Sequence, residues 1–406
     1  MKNEQYIINV NIIAKDCILK DHAIILEKDR FVRILPVDKL AEDLYGFHMG
    51  KVYDGKGSLV VAGFIDIHSD NIESVIQPRP TSVMNFEMAL LESEKQLVNQ
   101  GITTMYHSLS FLRKEGAAMR EKEVRKPDKM RLLAEMIRTL HERSHIIRHR
   151  FHCRFDIRNS EGYDTLMDYL DKDYINLLSF IDHTPGQGQY RDLIKYRENL
   201  RNYKPDLEDN QIDSIIEERM AVPRISSDKI ERTAEVARGK GIPIASHDDD
   251  SEEKIEYVHS ELRADISEFP VELSVARKAR EKGMLTVAGA PNVLMGRSHS
   301  GNLSAVEAIL DGSIDILCSD YYPPAILHAL FKLNNDYGMK LWDCINLVTL
   351  NPAKALGIDK EFGSVEEGKK ADFLMIEIIN GMPSITRVYI NGELVSELNY
   401  RRKKYA

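Results

Sequence analysis

The chain has 406 residues, and its 55 Lys+Arg against 64 Asp+Glu give a formal net charge of −9. Hydrophobic residues make up 43% and charged residues 29%, which is ordinary globular usage and excludes a disordered chain. No apolar run approaches the roughly 18 residues of a membrane span, the N-terminus has no signal-peptide pattern, and the negative charge argues against general nucleic-acid binding. We therefore expect a cytoplasmic protein that binds neither membranes nor nucleic acids.

Both ends of the chain contain short apolar segments separated by polar turns, a pattern typical of strands and hairpins. Near the C-terminus, Asn391 and Gly392 form a pair that suits a type I′ hairpin turn. Because only the two ends of the chain have this β pattern, we expect them to form one small composite β domain, a β-sandwich, built from residues 1–61 and 353–406.

The middle of the chain, residues 62–352, alternates short apolar strands with longer amphipathic segments, which indicates repeated βα units and a parallel sheet. Eight strands are predicted, at residues 63–68, 103–110, 150–156, 175–182, 242–247, 264–269, 284–288 and 313–319. Eight strands over about 290 residues favour an α/β fold of the (β/α)₈ TIM-barrel type, since such barrels need about 250 residues before insertions. A doubly wound sheet stays open as an alternative, although no Gly-rich phosphate loop is present.

Polar side chains are concentrated where the predicted barrel strands end, which is where the active sites of such barrels lie. The first strand ends in His68 and Asp70, which the two-residue alternation of a strand sends to the same side. Imidazole and carboxylate groups are ligands that Zn²⁺, Mn²⁺ and Fe²⁺ accept, and two such ions need about six to eight donors. The candidate metal ligands are His68, Asp70, Asp156, His183, His247 and Asp320.

These residues predict a hydrolase with one or two divalent metal ions. Two ions about 3.5–4 Å apart would generate a metal-bound hydroxide at neutral pH, and this hydroxide would attack the scissile bond. Asp320, after the eighth strand, is the predicted catalytic residue, because its carboxylate could pass the hydroxide proton to the leaving group, a role worth about 10²–10⁴-fold in rate. No G-x-S-x-G motif suggests an activated serine.

The order of β domain, barrel and β domain, with a ligand pair after the first strand and an aspartate after the eighth, resembles the amidohydrolase superfamily. Seven blocks in register resemble one branch of it, which acts in phosphonate metabolism; they are 63–73 (GFIDIHSDNIE), 182–187 (DHTPGQ), 245–249 (ASHDD), 267–270 (SEFP), 289–292 (GAPN), 298–302 (SHSGN) and 319–321 (SDY). The resemblance implies a metal-dependent diphosphatase activity, which would hydrolyse α-D-ribose 1-methylphosphonate 5-triphosphate to the 5-phosphate and pyrophosphate.

The same resemblance supports the metal-ligand assignment, with zinc among the ions that would fit. It matches His68, Asp70, His183, His247 and Asp320 to blocks that carry the superfamily's site. The third strand departs from the pattern, because Asp156 stands where the family is expected to have a glutamate. An aspartate is one methylene shorter, so a single-metal or water-bridged site is an alternative to a carboxylate that bridges two ions.

The implied substrate, a small anionic sugar phosphate, needs cationic contacts. The planar fork of arginine suits phosphate oxygens, and Arg154 lies beside the predicted metal ligands. The candidate substrate contacts are Arg154, Arg79, His107, Arg297 and His299. His107 is equally compatible with hydrogen bonding in the core, and the oligomeric state, including a homodimer, is open.

Two other functions remain open at this point. The same metal barrel could hydrolyse a cyclic amide, an N-acyl group or an amino-substituted ring, which is the commoner chemistry of the superfamily. A barrel that has lost catalysis could instead serve as a binding or assembly subunit. The product released from a substrate panel distinguishes the first two functions, and metal binding distinguishes both from the third.

Overall fold

The computed structural model describes residues 4–43, 51–111, 122–203, 205–296 and 303–400. Its strands are β1 (Glu4–Ile13), β2 (Ile18–Glu27), β3 (Arg30–Pro36), β4 (Lys51–Asp54), β5 (Leu59–Ala62), β6 (Phe64–Ser69), β7 (Ile102–Phe111), β8 (Arg148–Asp156), β9 (Leu177–Ile181), β10 (Ile244–His247), β11 (Ile266–Glu268), β12 (Leu285–Gly289), β13 (Ile316–Cys318), β14 (Phe373–Ile379), β15 (Met382–Ile390) and β16 (Glu393–Glu397).

The same parts of the chain contain fifteen α-helices. They are α1 (Val37–Asp43), α2 (Asn71–Ile76), α3 (Phe86–Asn99), α4 (Pro127–Thr139), α5 (Tyr163–Asp171), α6 (Leu193–Tyr203), α7 (Asp209–Met220), α8 (Ser227–Gly239), α9 (Glu252–Ser260), α10 (Leu273–Glu281), α11 (Ala290–Met295), α12 (Ala305–Leu310), α13 (Ala325–Tyr337), α14 (Leu341–Asn346) and α15 (Leu350–Ala355). None of these described helices combines the length and the hydropathy that a membrane crossing requires.

Strands from both ends of the chain share one sheet, in the order β16-β15-β14-β5-β1-β2-β3, with β4 paired to β1. The two ends meet where β14 runs antiparallel to β5, with Phe373 opposite Ala62. On this sheet the ring of Phe373 stacks on Tyr389, with ring centroids 4.4 Å apart, inside a buried apolar cluster. The prediction that both termini build one small β domain is therefore confirmed, and its described strands form one continuous sheet. The predicted bounds, residues 1–61 and 353–406, stay a prediction.

The remaining eight strands form a parallel sheet in sequence order, from β6 to β13. Each of the eight predicted barrel strands overlaps one of them. Parallel strands joined by helical crossovers bury both faces of the sheet, and this explains why nearly every residue of these strands is buried, whether apolar or polar. The predicted (β/α)₈ barrel is confirmed, and the doubly wound alternative is excluded.

The barrel closes between its last and first strands, next to the predicted catalytic residue. The backbone N–H of Asp320 donates to the carbonyl oxygen of His68 at 3.0 Å, and the N–H of Asp70 donates to the carbonyl oxygen of Asp320 at 2.9 Å. The Oδ1 atom of Asp66 adds a side-chain link, since it accepts the N–H of Ser319 at 3.1 Å. These bonds fix the backbone of the first and eighth strand ends relative to each other.

A polar layer lies above an apolar layer in the barrel. One buried apolar cluster includes a residue from each of six strands: Tyr106, Leu177, Ala245, Ile266, Val287 and Ile316. Two residues farther along four of those strands come the polar side chains Ser108, Ser179, His247 and Glu268. Because alternate residues of a strand point to the same side, the polar side chains are presented at the carboxyl end of the barrel.

Candidate active site

A cleft of about 300 Å³ opens at the carboxyl ends of the barrel strands. Its polar lining consists of His68, Asp70, Arg154, Gln189, His247, Asp248, Asn292, Asp320 and Tyr321. Four predicted metal ligands and one predicted substrate contact are among these residues, and they come from β6, β8, β10 and β13 or from the residues that directly follow those strands. Side chains that are far apart in the sequence thus meet in a single cavity.

His68 lies at the floor of this cleft with only 1% of its surface exposed. Its Nδ1 atom is 2.8 Å from Oε1 of Glu268, while Nε2 is 3.3 Å from Oγ of Ser108 and 3.3 Å from Nη1 of Arg154. Burial, together with the Arg154 guanidinium, holds the pKa of His68 well below its ordinary value. The imidazole is therefore neutral, which is the form that binds a metal ion.

His247 faces His68 across the cleft, with ring centroids 5.3 Å apart. Its Nδ1 atom lies 2.9 Å from Oδ2 of Asp248, but outside hydrogen-bonding geometry, so neither buried ring nitrogen has a hydrogen-bond partner in the described chain. Buried polar atoms without a partner are rare and mark places where a ligand is expected. Ligand atoms of His68, His247 and Glu268 all lie within 4.8 Å of one another, so this triad could hold a metal ion.

Asp320 borders the cleft beside Asp70. Burial, and then the neighbouring Asp70 carboxylate, raise the pKa of Asp320 to about 6. Burial also raises the pKa of Asp70 itself. A carboxylate whose pKa is close to neutrality can both accept and return a proton at physiological pH, which is the property that a general base requires.

Three residues that follow barrel strands have backbone conformations in the left-handed region: φ is 52° at Asp248, 54° at Phe269 and 57° at Asp320. Aspartate adopts this conformation fairly readily, but for a phenylalanine it is a clear outlier that costs on the order of 1–3 kcal/mol. The Phe269 ring packs against His68 and His247, with centroid distances of 4.9 and 5.1 Å. Such strain persists where the surrounding structure enforces it, and here it is concentrated around the cleft.

Two further predicted ligands, Asp156 and His183, contact each other rather than lining the cleft. The Nδ1 atom of His183 is 3.5 Å from Oδ2 of Asp156. Arg158 donates to both oxygens of the same carboxylate, with its backbone N–H at 2.9 Å, Nε at 3.1 Å and Nη2 at 2.7 Å. Burial raises the pKa of Asp156, but the hydrogen bonds from His183 and Arg158 outweigh it and hold the pKa at about 2. Their assignment as metal ligands stays a prediction.

The other predicted substrate contacts lie apart from the described cleft. Arg79 is exposed in the segment after α2. His107 is buried, stacks on His149 and is linked to it by a 2.7 Å contact between Nε2 and Nδ1. Arg297 and His299 fall outside the described residues. Contact with substrate therefore stays a prediction for all four of these predicted residues.

Sequence reasoning missed two fully buried glutamates near the site. Both lie inside sequence blocks that carry the resemblance, Glu268 in 267–270 at the end of β11 and Glu73 in 63–73, and this was the signal that could have revealed them. Glu73, on α2, binds the guanidinium of Arg125 through two 2.9 Å hydrogen bonds and the Nζ atom of Lys122 at 2.8 Å. Nothing in the local sequence identifies these distant partners.

Replacing Glu73 with glutamine is expected to lower the free energy of unfolding at pH 7 by about 2 kcal/mol, since hydrogen bonds to charged groups contribute about 1.5–3 kcal/mol and both cations keep some access to water. Burial raises the pKa of Glu73, but Arg125 and Lys122 lower it further, below its ordinary value of 4.5. This stabilisation is therefore complete above pH 4.5 and lost as pH falls through the lower pKa of the folded state. Urea denaturation across this pH range measures the difference in the free energy of unfolding between wild type and variant. A difference that stays the same from pH 7 to pH 3.5 would contradict the ion-pair explanation.

The fold and the cleft together define a class of protein: a barrel hydrolase whose buried imidazoles and carboxylates could hold a divalent metal ion. The amidohydrolase family model matches residues 59–395, and the chain belongs to that family. The chain is 32% identical over 351 residues to alpha-D-ribose 1-methylphosphonate 5-triphosphate diphosphatase of Escherichia coli (strain K12), over 84% of this chain and 89% of that protein. The resemblance predicted from the sequence blocks is confirmed.

Solved structures agree on the fold. Ochratoxinase of A. niger superposes with a TM-score of 0.65 at 13% identity, over 98% of this chain and 97% of that chain. N-acetylglucosamine-6-phosphate deacetylase of Pasteurella multocida superposes with a TM-score of 0.62 at 13% identity, over 97% of this chain and 100% of that chain. At these identities the likeness concerns the architecture alone, a barrel with an attached β domain.

Proposed function

We propose that this protein is a metal-dependent diphosphatase that hydrolyses α-D-ribose 1-methylphosphonate 5-triphosphate to the 5-phosphate and pyrophosphate. The observation that carries the proposal is the 32% identity to the E. coli diphosphatase over 84% of the chain. The chemistry of the cleft supports it, because a strongly anionic substrate needs cations in the site and Arg154 supplies one beside the predicted metal ligands.

The donor set of the cleft fits a divalent ion such as Zn²⁺, Mn²⁺ or Fe²⁺. The two ring nitrogens of His247, neither of which has a hydrogen-bond partner among the described residues, support this fit, as does the neutral imidazole of His68. The proposed ligands within the cleft are His68, Asp70, His247 and Asp320. When bound, the ion supplies Lewis-acid polarisation of the phosphate and lowers the pKa of a water molecule.

Asp320 is proposed as the general base. Its carboxylate accepts a proton from the attacking water and returns it to the pyrophosphate oxygen that leaves. The backbone bonds between Asp320, His68 and Asp70 hold this carboxylate at the edge of the cleft.

Arg154 is proposed to bind the phosphate groups. Its Nε atom is buried and lacks a hydrogen-bond partner among the described residues, although a buried guanidinium donor normally has one. Phosphate oxygens would satisfy this donor and the rest of the guanidinium fork. The negative charge of the whole chain does not oppose such binding, because the local potential in the cleft decides it.

Product analysis on a substrate panel tests the proposed function. The metal-reconstituted protein would be incubated with the ribose 5-triphosphate and, in parallel, with cyclic amides, N-acyl sugars and amino-substituted rings. We expect pyrophosphate and the 5-phosphate from the first substrate and no ammonia or carboxylate from the others. Turnover of an amide without pyrophosphate release would contradict the diphosphatase activity and support an amidohydrolase activity instead. If the metal-loaded protein turned over none of the substrates, the result would favour a non-catalytic barrel.

A further inference from the structure

We propose that Glu268 is the residue that positions His68 for metal binding, and that Ser179 and His152 hold the Glu268 carboxylate in place. The inference rests on the metal centre of the proposed function but not on its substrate. It concerns a glutamate that lies beneath the cleft floor and has no exposed surface. A buried charged group is retained only where its partners compensate for the loss of water.

The Glu268 carboxylate is engaged on both sides. Its Oε1 atom is 2.8 Å from Nδ1 of His68, and its Oε2 atom accepts a hydrogen bond from Oγ of Ser179 at 2.5 Å. Ser179 is in turn 2.5 Å from Nε2 of His152, whose Nδ1 atom lies 3.0 Å from the carbonyl oxygen of Ile67. The network therefore runs from β6 through β11 and β9 to β8 and returns to the backbone of β6.

The distance between Glu268 and His68 identifies the kind of contact. Two donors of one tetrahedral ion, each about 2.05 Å from it, are separated by about 3.4 Å. The observed 2.8 Å separation between Oε1 and Nδ1 is that of a charge-assisted hydrogen bond. We therefore infer that Glu268, although its carboxylate lies within 4.8 Å of ligand atoms of His68 and His247, acts through the His68 ring and is not itself a ligand.

This hydrogen bond has a consequence for the metal. It keeps the proton of the neutral imidazole on Nδ1 and leaves the lone pair of Nε2 toward the cleft, where Arg154 also reaches. A carboxylate on the far nitrogen also raises the basicity of the ligating nitrogen, and loss of such a partner usually lowers metal affinity by about 10–100-fold. Glu268 is therefore a positioning residue.

Zn²⁺ titration against a chromophoric chelator tests this role in the full-length protein. We expect Glu268→Ala to weaken Zn²⁺ binding by about 10–100-fold. Glu268→Gln is expected to retain part of the affinity, because its amide oxygen still accepts the Nδ1 proton. The absorption spectrum of the Co²⁺-loaded protein should shift in Glu268→Ala and recover partly in Glu268→Gln.

Glu94→Gln is the matched control, because Glu94 is also a buried glutamate paired with a histidine, His149 at 3.1 Å, but lies on α3 outside the cleft. Its Zn²⁺ affinity should equal that of the wild type. If Glu268→Ala does not fold, Ser179→Ala removes the support of Oε2 and should weaken Zn²⁺ binding by about tenfold, the lower end of the range for such supporting contacts.

Two outcomes would overturn the proposal. A folded Glu268→Ala or Ser179→Ala protein with wild-type Zn²⁺ affinity would remove the positioning role. Equal and complete loss of Zn²⁺ binding in Glu268→Gln and Glu268→Ala would make Glu268 a direct ligand. If the wild type bound no divalent ion, both the metal centre of the proposed function and the role of Glu268 would be contradicted. If it bound Zn²⁺ but had no diphosphatase activity, only the proposed substrate would be contradicted, and the role of Glu268 would stand.

Discussion

Asp320→Asn is expected to lower kcat by about 10²–10⁴-fold, which is the usual contribution of a positioned general base. The amide cannot take a proton from the attacking water, although it occupies almost the same volume as the carboxylate. The variant should fold normally, because the bonds of residue 320 to His68 and Asp70 are made by the backbone. Asparagine also tolerates the left-handed φ of 57° at this position better than most residues do.

The measurement is steady-state pyrophosphate release by wild type and variant, with metal content determined on the same samples. Asp173→Asn is a matched control, because Asp173 also has a left-handed backbone, with φ of 56°, but pairs with Lys240 on the surface. Its turnover should be unchanged. An Asp320→Asn protein that keeps its metal and turns over within tenfold of the wild-type rate would contradict the general-base role.

The barrel could be predicted from the sequence because its signals are local. An apolar run such as 175–182, bounded by polar residues, reads as a strand without any knowledge of its neighbours, and β9 lies within that run. The joining of the chain ends into one sheet could be expected only in outline. The pairing of Phe373 with Ala62 is a contact between residues more than 300 positions apart in the chain. The β pattern at both ends predicts that strands from the two ends pair, but it does not predict which residues lie opposite each other.

The site could be predicted where a general rule of the fold applies. Residues such as His68 and Arg154 lie on the cleft because they are on the inner face at the carboxyl ends of barrel strands. The same rule could not identify the partner of each side chain. Arg158 donates hydrogen bonds to the carboxylate of Asp156, and Glu268 contacts His68 from a strand 200 positions away in the sequence. Such pairs depend on side-chain reach within the folded barrel, about which strand periodicity says nothing.

Removal of the Arg154 guanidinium should have the second large effect on catalysis. Arg154→Met is expected to lower kcat/KM for the ribose triphosphate by about 10²–10³-fold, since truncating one partner of a desolvated charge pair costs about 2–5 kcal/mol. Arg154→Lys should lie between this variant and the wild type, because lysine keeps the charge but not the planar fork that matches two phosphate oxygens.

Inhibition by inorganic pyrophosphate provides an independent measure of the same contact. Its inhibition constant should rise in Arg154→Met in parallel with the loss in kcat/KM, while metal content stays constant. Arg150→Lys is the control on the same strand, because Arg150 lies against His141 and away from the cleft, and its kinetics should match those of the wild type. If Arg154→Met changed both kcat/KM and the inhibition constant of pyrophosphate by less than threefold, the proposed phosphate contact of Arg154 would be contradicted. The cationic contact would then have to come from another predicted substrate contact, such as Arg79 or Arg297.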